Sequence, residues 1–456
     1  MSDIDALRNK IDKITFEMVK LLKERTETAK QIGSLKNHMR LGITNEEREN
    51  HLRIEVLELS KNIGLDEKTA ATFLNFLLNE SIKIQSSNKP THLSVFLKAK
   101  ELEKQGRKII HMEVGEPDFY PPKIVKSALS EVYDQGYTKY GDSKGMIEFR
   151  EAIAKKTSEQ YDMKIQKHNV MVSPGARFSV FLAISTLLNR GDEIIIIEPS
   201  WPAYKENALN SGIKVRTIHT TLEERWEPKI ETVENIINPN TKMIVLNYPN
   251  NPTGKILPEK IQDGIVEVAT KNNLYILSDE IYSSYAYKYW KTILRYEYSK
   301  SIITQSFSKS HAMTGFRIGY AVSSPDIIDK MGKLQALCIT NVAEPIQYVS
   351  LKALEADTSN NAKTMKNRLD FMTKKARNMQ LDFVEPDGAM YLFARIKQES
   401  FDSFDFINRL LDLGVAVAPG EAFGNYKNFV RISACQPEDT LNQGMKIIDD
   451  ALRDQK

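Results

Sequence analysis

The segment Ser306–Arg317 reads SFSKSHAMTGFR, and it places Lys309 between small hydroxyl residues, eight positions before Arg317. A lysine amine can form a Schiff base with an aldehyde. The hydroxyl groups of Ser306 and Ser308 and the guanidinium of Arg317 can bind a phosphate dianion through charge-assisted hydrogen bonds. The segment therefore favours a site for a phosphorylated aldehyde, although the Ser-x-Ser-Lys pattern alone is also typical of an exposed loop.

Three apolar runs that precede this segment predict buried strands, at residues 170–173, 242–248 and 274–279. The first breaks at Gly175 into a helix-like stretch, the second ends in the turn PNNPTG at 249–254, and the third ends on Asp279. Ligands of α/β folds bind at the carboxyl ends of strands, and the free N–H groups of a helix N-terminus favour a phosphate. The alternation of strands and helices indicates an α/β fold with a mainly parallel sheet.

Together these segments resemble the fold-type I, class I pyridoxal-phosphate aminotransferases, from about residue 88 to the C-terminus. The motifs that carry the resemblance are NPTG at 251–254, SDEIY at 278–282, SFSK with TGFR at 306–317, and Arg431 in VRIS at 430–433. The resemblance implies the cofactor pyridoxal 5′-phosphate, amino transfer to a 2-oxo acid, and a homodimer with active sites at its interface. It also implies a large domain at about 137–340 and a small domain made of 88–136 and 341–456.

The resemblance assigns a role to each residue of this cofactor site. Lys309 is similar to the Schiff-base lysine that also moves a proton between Cα and C4′. Asp279 is similar to the aspartate that keeps the pyridine nitrogen protonated, so that the ring can accept the electrons of a carbanion. The other implied contacts are Tyr282 and Asn251 at the phenolic oxygen, Trp201 on the ring face, Ser306, Ser308, Arg317, Gly175 and Ala176 at the phosphate, and Tyr140 at the phosphate of the partner subunit.

Two arginines are candidates for binding substrate carboxylates. The resemblance makes Arg431 the bidentate clamp of the α-carboxylate, in a pocket that Gly115 also lines. Arg177 follows the Gly-Ala phosphate turn, where related enzymes that act on dicarboxylic substrates can carry a basic residue. Its guanidinium either holds a distal carboxylate or is a solvated group on a helix N-terminal turn, and the sequence leaves both interpretations open.

The N-terminal 85 residues contain no proline and read as three helices. The first is expected to run from about Asp3 to Met39, a length of about 50 Å. Its apolar residues repeat with heptad-like spacing, but Arg25 occupies a position of this stripe. A stripe arginine must be paired, because burying an isolated charge costs too much. The second helix is expected to begin after the N-cap Asn45 and the third after the N-cap Asp66.

Polar side chains from all three helices are predicted to point toward the apolar interior. They are Arg8, Arg25, Lys36, Arg48, Glu49, Ser81 and Gln85. A single arginine would fit a bundle that uses polar groups to fix its register, whereas the whole set describes a basic pocket for a small polyanion.

This pattern resembles the all-helical chorismate mutases over nearly all of residues 1–86. The matching segments are LRNKID at 7–12, LLKERTETAKQIGSLK at 21–36, the pair Arg48-Glu49, and SIKIQ at 81–85. In that family chorismate rearranges to prephenate by a pericyclic step, so catalysis rests on positioning and electrostatics. The resemblance assigns Arg8, Arg25 and Ser81 to the two carboxylates, Lys36 and Gln85 to the breaking ether oxygen, and Arg48 and Glu49 to the hydroxyl side. The chain departs from the family at Asn45, where an aspartate is common.

The long first helix also predicts self-association. A three-helix monomer of this size cannot cover the apolar stripe, whereas an interlocked dimer, as in the family, would cover it. Arg8 is then expected to serve the active site of the other subunit.

The bulk properties are those of an ordinary globular protein of 456 residues, 41% of them hydrophobic and 27% charged. The length suits two or three domains, divided into a helical domain at 1–87 and the aminotransferase-like part at 88–456, with a linker at 86–90. No signal peptide or membrane span is evident, and Cys338 and Cys435 show no metal or redox spacing. We therefore expect a cytoplasmic protein without a bound metal.

The favoured interpretation is a bifunctional enzyme of aromatic amino acid biosynthesis. Its partners are small-molecule substrates: chorismate, amino acids and 2-oxo acids, with prephenate or an aryl pyruvate as amino acceptor. The main alternative is transfer between aspartate and 2-oxoglutarate, with a mutase domain that is active or that only senses phenylalanine or tyrosine. A DNA-binding regulator is disfavoured, because residues 1–88 carry 14 basic and 14 acidic side chains and thus no net charge.

Overall fold

The computed structural model of the chain describes residues 3–38, 46–86, 92–398, 401 and 403–454. It forms two compact units, Met1–Pro90 and Thr91–Lys456. None of the helices in these described ranges is long and apolar enough to cross a membrane.

The first unit is a three-helix domain made of α1 (Asp3–His38), α2 (Glu46–Asn62) and α3 (Glu67–Ser86). The helix α3 packs against both α1 and α2. Asp66 caps α3, because its Oδ2 accepts hydrogen bonds from the N–H of Thr69 at 2.8 Å and from the Thr69 hydroxyl at 2.9 Å. The predicted three-helix fold is confirmed, whereas the predicted N-cap Asn45 lies outside the described residues.

The apolar stripe on the first half of α1 is exposed within this unit. Leu7, Ile11 and Ile14 leave 62%, 63% and 52% of their surface accessible, and burial begins only further along the helix, at Ala29. A continuous apolar face of this length is unusual on the surface of a monomer.

The second unit combines strands and helices in alternation. Its strands are β1 (Ile110–His111), β2 (Val170–Ser173), β3 (Glu193–Glu198), β4 (Lys214–His219), β5 (Thr241–Leu246), β6 (Tyr275–Asp279), β7 (Ser301–Ser306), β8 (Gly319–Val322), β9 (Leu381–Phe383), β10 (Tyr391–Ile396), β11 (Val415–Ala416), β12 (Ala418–Pro419) and β13 (Phe429–Ser433). Its helices are α4 (His92–Lys104), α5 (Ile124–Asp134), α6 (Ile147–Tyr161), α7 (Ala176–Leu187), α8 (Ala203–Asn210), α9 (Ile230–Ile236), α10 (Glu259–Lys271), α11 (Phe307–Ser310), α12 (Pro325–Ile339), α13 (Glu344–Leu354), α14 (Ser359–Ala376), α15 (Ser403–Asp412) and α16 (Glu438–Arg453).

Seven of these strands form one large sheet, in the order β2-β8-β7-β6-β5-β3-β4. The strand β8 runs antiparallel to β2 and β7, and all other neighbours are parallel. The predicted α/β fold with a mainly parallel sheet is confirmed, and the three predicted strands correspond to β2, β5 and β6. The antiparallel direction of β8 is a feature that the sequence did not predict.

Alternating residues of the central strands explain why the sheet is buried on both faces. In β3, Ile194 and Ile196 belong to one apolar core, and Ile195 and Ile197 belong to the core on the opposite face. Side chains of a strand alternate between faces, so a run of four isoleucines supplies both cores at once. The helix α7 packs on the first of these faces and starts directly after β2.

A smaller antiparallel sheet, in the order β12-β13-β10-β9, forms beside the large one, together with the parallel pair β1 and β11. The pairing of β1 with β11 joins the start of this unit to its C-terminal part. Met112 continues the contact, since its N–H donates to the carbonyl of Ala416 and its carbonyl accepts from the N–H of Ser433, at 2.9 and 2.8 Å. The segment around Met112 therefore lies beside β13, the strand that carries Arg431.

Two helices outside residues 137–340 belong to the core of the large sheet. The helices α5 and α13 pack against each other, and Val125 of α5 and Val349 of α13 lie in the same apolar cluster as Ile195. The core of the large sheet thus includes residues that precede position 137 and residues that follow position 340.

Candidate active sites

A cavity of about 310 Å³ lies in the second unit, at the carboxyl ends of β5, β6 and β7. It is lined by most of the residues predicted for the aminotransferase-like site: Gly115, Ala176, Arg177, Trp201, Asn251, Asp279, Tyr282, Ser306, Ser308, Lys309, Arg317 and Arg431. Of the remaining two, Gly175 directly precedes the lining residue Ala176, and Tyr140 does not line the cavity. The cavity also contains residues that the sequence did not predict, among them Tyr204 and Tyr391.

Lys309 sits on the short helix α11, directly after β7. Its Nζ donates a hydrogen bond to the carbonyl oxygen of Gly115. Burial lowers the pKa of the Lys309 amine below its usual range. A larger share of neutral amine follows, and only the neutral amine can attack a carbonyl carbon.

Asp279 ends β6 and is almost fully buried, with 3% of its surface exposed. Burial raises the pKa of its carboxyl above the usual range. Two hydroxyl groups act against this effect: Tyr204 donates to Oδ2 at 2.7 Å, and Thr304 donates to Oδ1 at 3.0 Å. Both carboxylate oxygens therefore have donors that stabilise the ionised form. No local sequence signal pointed to Tyr204, because its contact with Asp279 spans 75 positions.

A cradle of backbone and hydroxyl groups lies between β7 and the N-terminus of α7. The hydroxyl of Ser306 accepts a hydrogen bond from the N–H of Ser308 at 3.0 Å. Gly175 adopts φ +87°, and a Cβ at this position would lie 2.9 Å from a guanidinium nitrogen of Arg317. Only glycine leaves room for this approach, so the guanidinium, the hydroxyls and the helix N-terminus converge on one place.

Arg431 lies on β13, and only 3% of its surface is exposed. One terminal nitrogen donates to Oδ1 of Asn251 at 2.7 Å, and the other donates to the carbonyl of Glu113. Its Nε has no hydrogen-bond partner among the described residues. The guanidinium also stacks on the ring of Tyr391, 4.3 Å from its centre. A buried guanidinium with an unused N–H is costly, and a carboxylate ligand would remove this cost.

Two tyrosine hydroxyl groups meet beside Arg431. The hydroxyl of Tyr282 lies 2.6 Å from that of Tyr391. Burial raises the pKa of Tyr391 to about 12. A Cβ at Gly115 would lie 1.8 Å from the Tyr391 hydroxyl, so a larger residue cannot replace this glycine without moving the tyrosine. In this structure Asn251 contacts Arg431 and Tyr282 contacts Tyr391, and their roles at a phenolic oxygen stay predictions.

Arg177 and Tyr140 lie at more exposed places. The guanidinium of Arg177 lines the cavity at its exposed side, 4.7 Å above the ring of Trp201. Such cation–π contacts hold an arginine without using its hydrogen-bond donors. Tyr140 is 89% exposed and does not line the cavity. Its predicted contact with a phosphate in the partner subunit therefore stays a prediction.

A larger cavity of about 520 Å³ lies outside this site, around Lys255 and Asp387. Its buried charges are already paired, since Asp387 binds Lys255 and its other carboxylate oxygen lies 2.5 Å from Nζ of Lys288. Lys291 pairs with Glu259 at 3.0 Å. The paired charges and the absence of any predicted site residue among its described lining distinguish this cavity from the first one.

The helical unit has a cavity of its own, of about 600 Å³. Its lining includes five of the predicted residues: Arg25, Lys36, Arg48, Glu49 and Ser81. Arg25 is paired as expected for a stripe arginine, because it donates to the Ser81 hydroxyl at 2.5 Å and to the carbonyl of Leu77 at 2.8 Å. The sequence did not predict Glu24 and Thr28, which also line the cavity.

The other two predicted residues of this site are not placed in the cavity. The Arg8 side chain is 74% exposed, and its nearest acid is Asp5 at 3.5 Å, one turn away on α1. The expectation that Arg8 serves another subunit therefore stays a prediction. The side chain of Gln85 lies outside the described residues.

Comparison with known proteins gives a family match for each unit. Residues 107–448 match the family model "Aminotransferase class I and II", and residues 7–86 match "Chorismate mutase type II". The aspartate aminotransferase of Thermotoga maritima is 37% identical, covering 78% of this chain and 94% of its own. The aspartate/prephenate aminotransferase of Thermus thermophilus is 31% identical, covering 80% and 97%.

Solved structures agree with these matches. The crystal structure of the Thermotoga maritima aspartate aminotransferase superposes with a TM-score of 0.77 at 35% identity, over 81% of this chain and 98% of that one. The Thermus thermophilus aspartate aminotransferase with maleate also gives 0.77, at 30% identity, over 81% of this chain and 98% of that one.

Proposed function

The chain belongs to the class I and II aminotransferases and carries a type II chorismate mutase domain at residues 7–86, and on this premise we propose a bifunctional enzyme of aromatic amino acid biosynthesis. The mutase domain converts chorismate to prephenate. The aminotransferase domain then transfers an amino group to a 2-oxo acid, either prephenate itself or an aryl pyruvate.

The cofactor of the aminotransferase is pyridoxal 5′-phosphate, and the cavity fits it. The cradle between Gly175 and Arg317 suits the phosphate, since a Cβ at Gly175 would fill it. The buried, doubly hydrogen-bonded carboxylate of Asp279 suits a protonated ring nitrogen. When bound, the cofactor supplies an electron sink for negative charge at the substrate Cα. Trp201, Tyr282 and Asn251 would complete its binding site.

We assign the proton transfer at the substrate Cα to the Nζ of Lys309. Burial lowers the pKa of this amine, so that it can accept a proton as well as release one. Arg431 binds the α-carboxylate with its guanidinium and thereby orients the Cα–H bond toward Lys309. The stacked ring of Tyr391 and the amide of Asn251 hold the guanidinium in place before the substrate arrives.

The observation that carries the choice of substrate is that two guanidiniums line the cavity in addition to Arg317 of the phosphate cradle. Arg431 is buried, whereas Arg177, which lines the same cavity, is exposed. A substrate with two carboxylates can satisfy both, and prephenate has two. The names of the relatives, aspartate and aspartate/prephenate aminotransferases, agree with a substrate of this class.

The variant Arg177→Met tests this assignment. We expect the KM for acidic substrates to rise about tenfold or more, because a charge-assisted hydrogen bond is lost, while the KM for phenylalanine changes little. Steady-state kinetics with both substrate classes measures the difference. Arg377→Met is the control, because it removes an exposed arginine that binds Glu385 at 2.6 Å outside the cavity. Equal changes of both KM values in Arg177→Met would contradict a role in recognising the distal carboxylate.

A second candidate function is transfer between aspartate and 2-oxoglutarate, with the mutase domain active or regulatory. The aspartate aminotransferase of Thermotoga maritima, at 37% identity, favours it. Both candidates use Arg177 and Arg431, so the aminotransferase reactions of the two candidates differ in the acceptor. Prephenate turnover compared with oxaloacetate turnover decides between them.

In the mutase domain, the cavity of the helical unit positions chorismate without a nucleophile. Arg25 and Ser81 bind one carboxylate, Lys36 and Gln85 stabilise the charge on the ether oxygen, and Arg48 and Glu49 bind the hydroxyl side. The short contact between Arg25 and Ser81 holds both groups on the same side of the cavity. Preorganised donors of this kind lower the barrier of a step that needs no proton transfer.

We further propose that the chain works as a homodimer. The exposed stripe on α1 would be covered by a second copy, and Arg8 would then reach the partner's site. Light scattering is expected to give twice the chain mass of 52.0 kDa. The double variant Leu7→Glu with Ile14→Glu should lower mutase activity more than aminotransferase activity, since it places two charges on the stripe. Lys13→Glu, on another side of the same helix, should have little effect. A monomer with full mutase activity would contradict the proposal.

A further inference from the structure

The segment from Glu113 to Gly115 offers two backbone carbonyls to Arg431 and Lys309 of the aminotransferase cavity. The carbonyl of Glu113 accepts from Arg431, and the carbonyl of Gly115 accepts from Lys309. The placement of Arg431 therefore depends on what fixes the backbone at Glu113.

The backbone before Glu113 is fixed by sheet contacts. The strand β1 pairs with β11, and Met112 bonds to Ala416 and Ser433. At Glu113 these contacts end, and the side chain of this residue supplies the next anchor.

The Glu113 carboxylate is fully buried, with 0% of its surface exposed. Its Oε1 lies 2.7 Å from Nδ1 of His111, and its Oε2 has no hydrogen-bond partner among the described residues. The other ring nitrogen of His111 lies 3.1 Å from Glu103, whose second oxygen binds Lys100 at 2.9 Å. A buried carboxylate is costly unless a cation pairs with it, and His111 is placed to provide that cation.

We propose that His111 and Glu113 form a positioning pair, in which the imidazolium holds the buried carboxylate and the Glu113 carbonyl thereby sets the place of the Arg431 guanidinium. The inference rests on the proposed role of Arg431 as the α-carboxylate clamp. Glu113 lines the cavity, but its side chain is fully buried beside His111, and His111 does not line the cavity. We therefore assign both residues an action through Arg431. The expected signature is a larger change in substrate affinity than in turnover, because the Glu113 carbonyl contacts Arg431, whereas Lys309 is carried by α11 and touches this segment only at Gly115.

The ionisation of His111 gives the pair a pH dependence. The hydrogen bond with Glu113 raises the pKa of His111, although burial acts in the opposite direction. The charged groups around the ring are Glu113, then Glu103 and Lys100 of α4, while β11 presents only Val415 and Ala416. The His111 imidazolium pairs with the Glu113 carboxylate at any pH below the ordinary pKa of histidine. This pairing is lost as the pH rises through the raised pKa of His111. The KM for the amino donor should therefore rise with pH over this range.

Three variants of the full-length holoenzyme test the pair, with glutamate as amino donor. In His111→Gln the amide reaches toward Glu103 but leaves Glu113 without a cation, and we expect the KM to rise roughly tenfold, with a smaller change in kcat. In His111→Asn a neutral donor stays near Glu113, so part of the affinity should return. The double variant His111→Gln with Glu113→Gln removes both charges and should also recover affinity, because no unpaired charge stays buried.

The matched control is His219→Gln. It breaks a similar pair, in which Nδ1 of His219 lies 3.0 Å from Glu198, a carboxylate with 5% exposure that does not line the cavity. Thermal melting is recorded for every variant. A lower melting temperature in His111→Gln with an unchanged KM and pH profile would show that the pair is merely structural.

Arg431→Met separates this inference from the proposed function. A raised KM in Arg431→Met with no change in His111→Gln would overturn the positioning pair alone. An unchanged KM in Arg431→Met would overturn the clamp itself, and the inference with it.

Discussion

Replacement of Lys309 by alanine is expected to lower aminotransferase turnover by at least about 10³-fold, while the mutase rate keeps its wild-type value. Burial lowers the pKa of the Lys309 amine, and the amine donates a hydrogen bond to the carbonyl of Gly115. Lys309 and Asp279 line the same cavity. Without this amine, the cavity would lack the nucleophile that would hold the cofactor aldehyde and the base that we assign to the proton at the substrate Cα.

The measurement is kcat for amino transfer, together with chorismate turnover of the same preparation. Lys300→Ala is the matched control, because burial also lowers the pKa of Lys300, yet this residue binds the carbonyl of Asn273 away from the cavity. Full turnover in Lys309→Ala, or equal losses in both variants, would contradict the assignment of the amine.

The second large effect is expected in the helical unit. Arg25→Ala should lower the mutase rate about 10²- to 10³-fold, the cost of removing one preorganised donor from a charge-stabilising site. Arg25 binds Ser81 and the carbonyl of Leu77, so its guanidinium is held at the cavity before a substrate enters. Arg25→Lys keeps the charge but loses the planar fork, and it should recover only part of the rate.

Arg53→Ala is the matched control for this prediction. Arg53 donates to the side chain of Asn75 at 2.7 Å, which joins α2 to α3 without lining the cavity. Chorismate consumption and cofactor content are measured for each variant. Mutase turnover that survives in Arg25→Ala but falls in Arg53→Ala would place the site elsewhere.

The parts of the site that the sequence could predict lie at the ends of strands. Asn251, Asp279 and Lys309 each follow a buried apolar run, and neighbouring parallel strands bring their carboxyl ends together at one edge of the sheet. Local patterns were sufficient there, because the chain geometry itself collects these residues.

Residues whose partners are distant in sequence were not predictable in this way. Tyr391 meets Tyr282 across 109 positions, and Tyr204 meets Asp279 across 75. Each contact depends on how the two sheets and α8 pack, and no local pattern encodes that packing. The reversed direction of β8 has the same origin, because a strand buried on both faces has the same apolar composition in either direction.

The residues predicted to act in another subunit form a third group. Arg8 and Tyr140 are exposed, at 74% of the side chain and 89% of the residue. Their positions are determined by α1 and by the loop before α6, while their proposed ligands belong to a second copy of the chain. Both predicted contacts therefore depend on the second copy of the chain.

The central claim, that one chain performs both reactions in sequence, is tested most directly by a single reaction at neutral pH. It contains the purified protein, pyridoxal phosphate, chorismate, and glutamate or aspartate, and the products are identified by mass spectrometry. With prephenate as the amino acceptor, the account predicts arogenate from the wild type, prephenate alone from Lys309→Ala, and strongly slowed consumption of chorismate in Arg25→Ala. Prephenate without arogenate from a wild-type preparation that transaminates oxaloacetate would contradict the claim that the two reactions are consecutive.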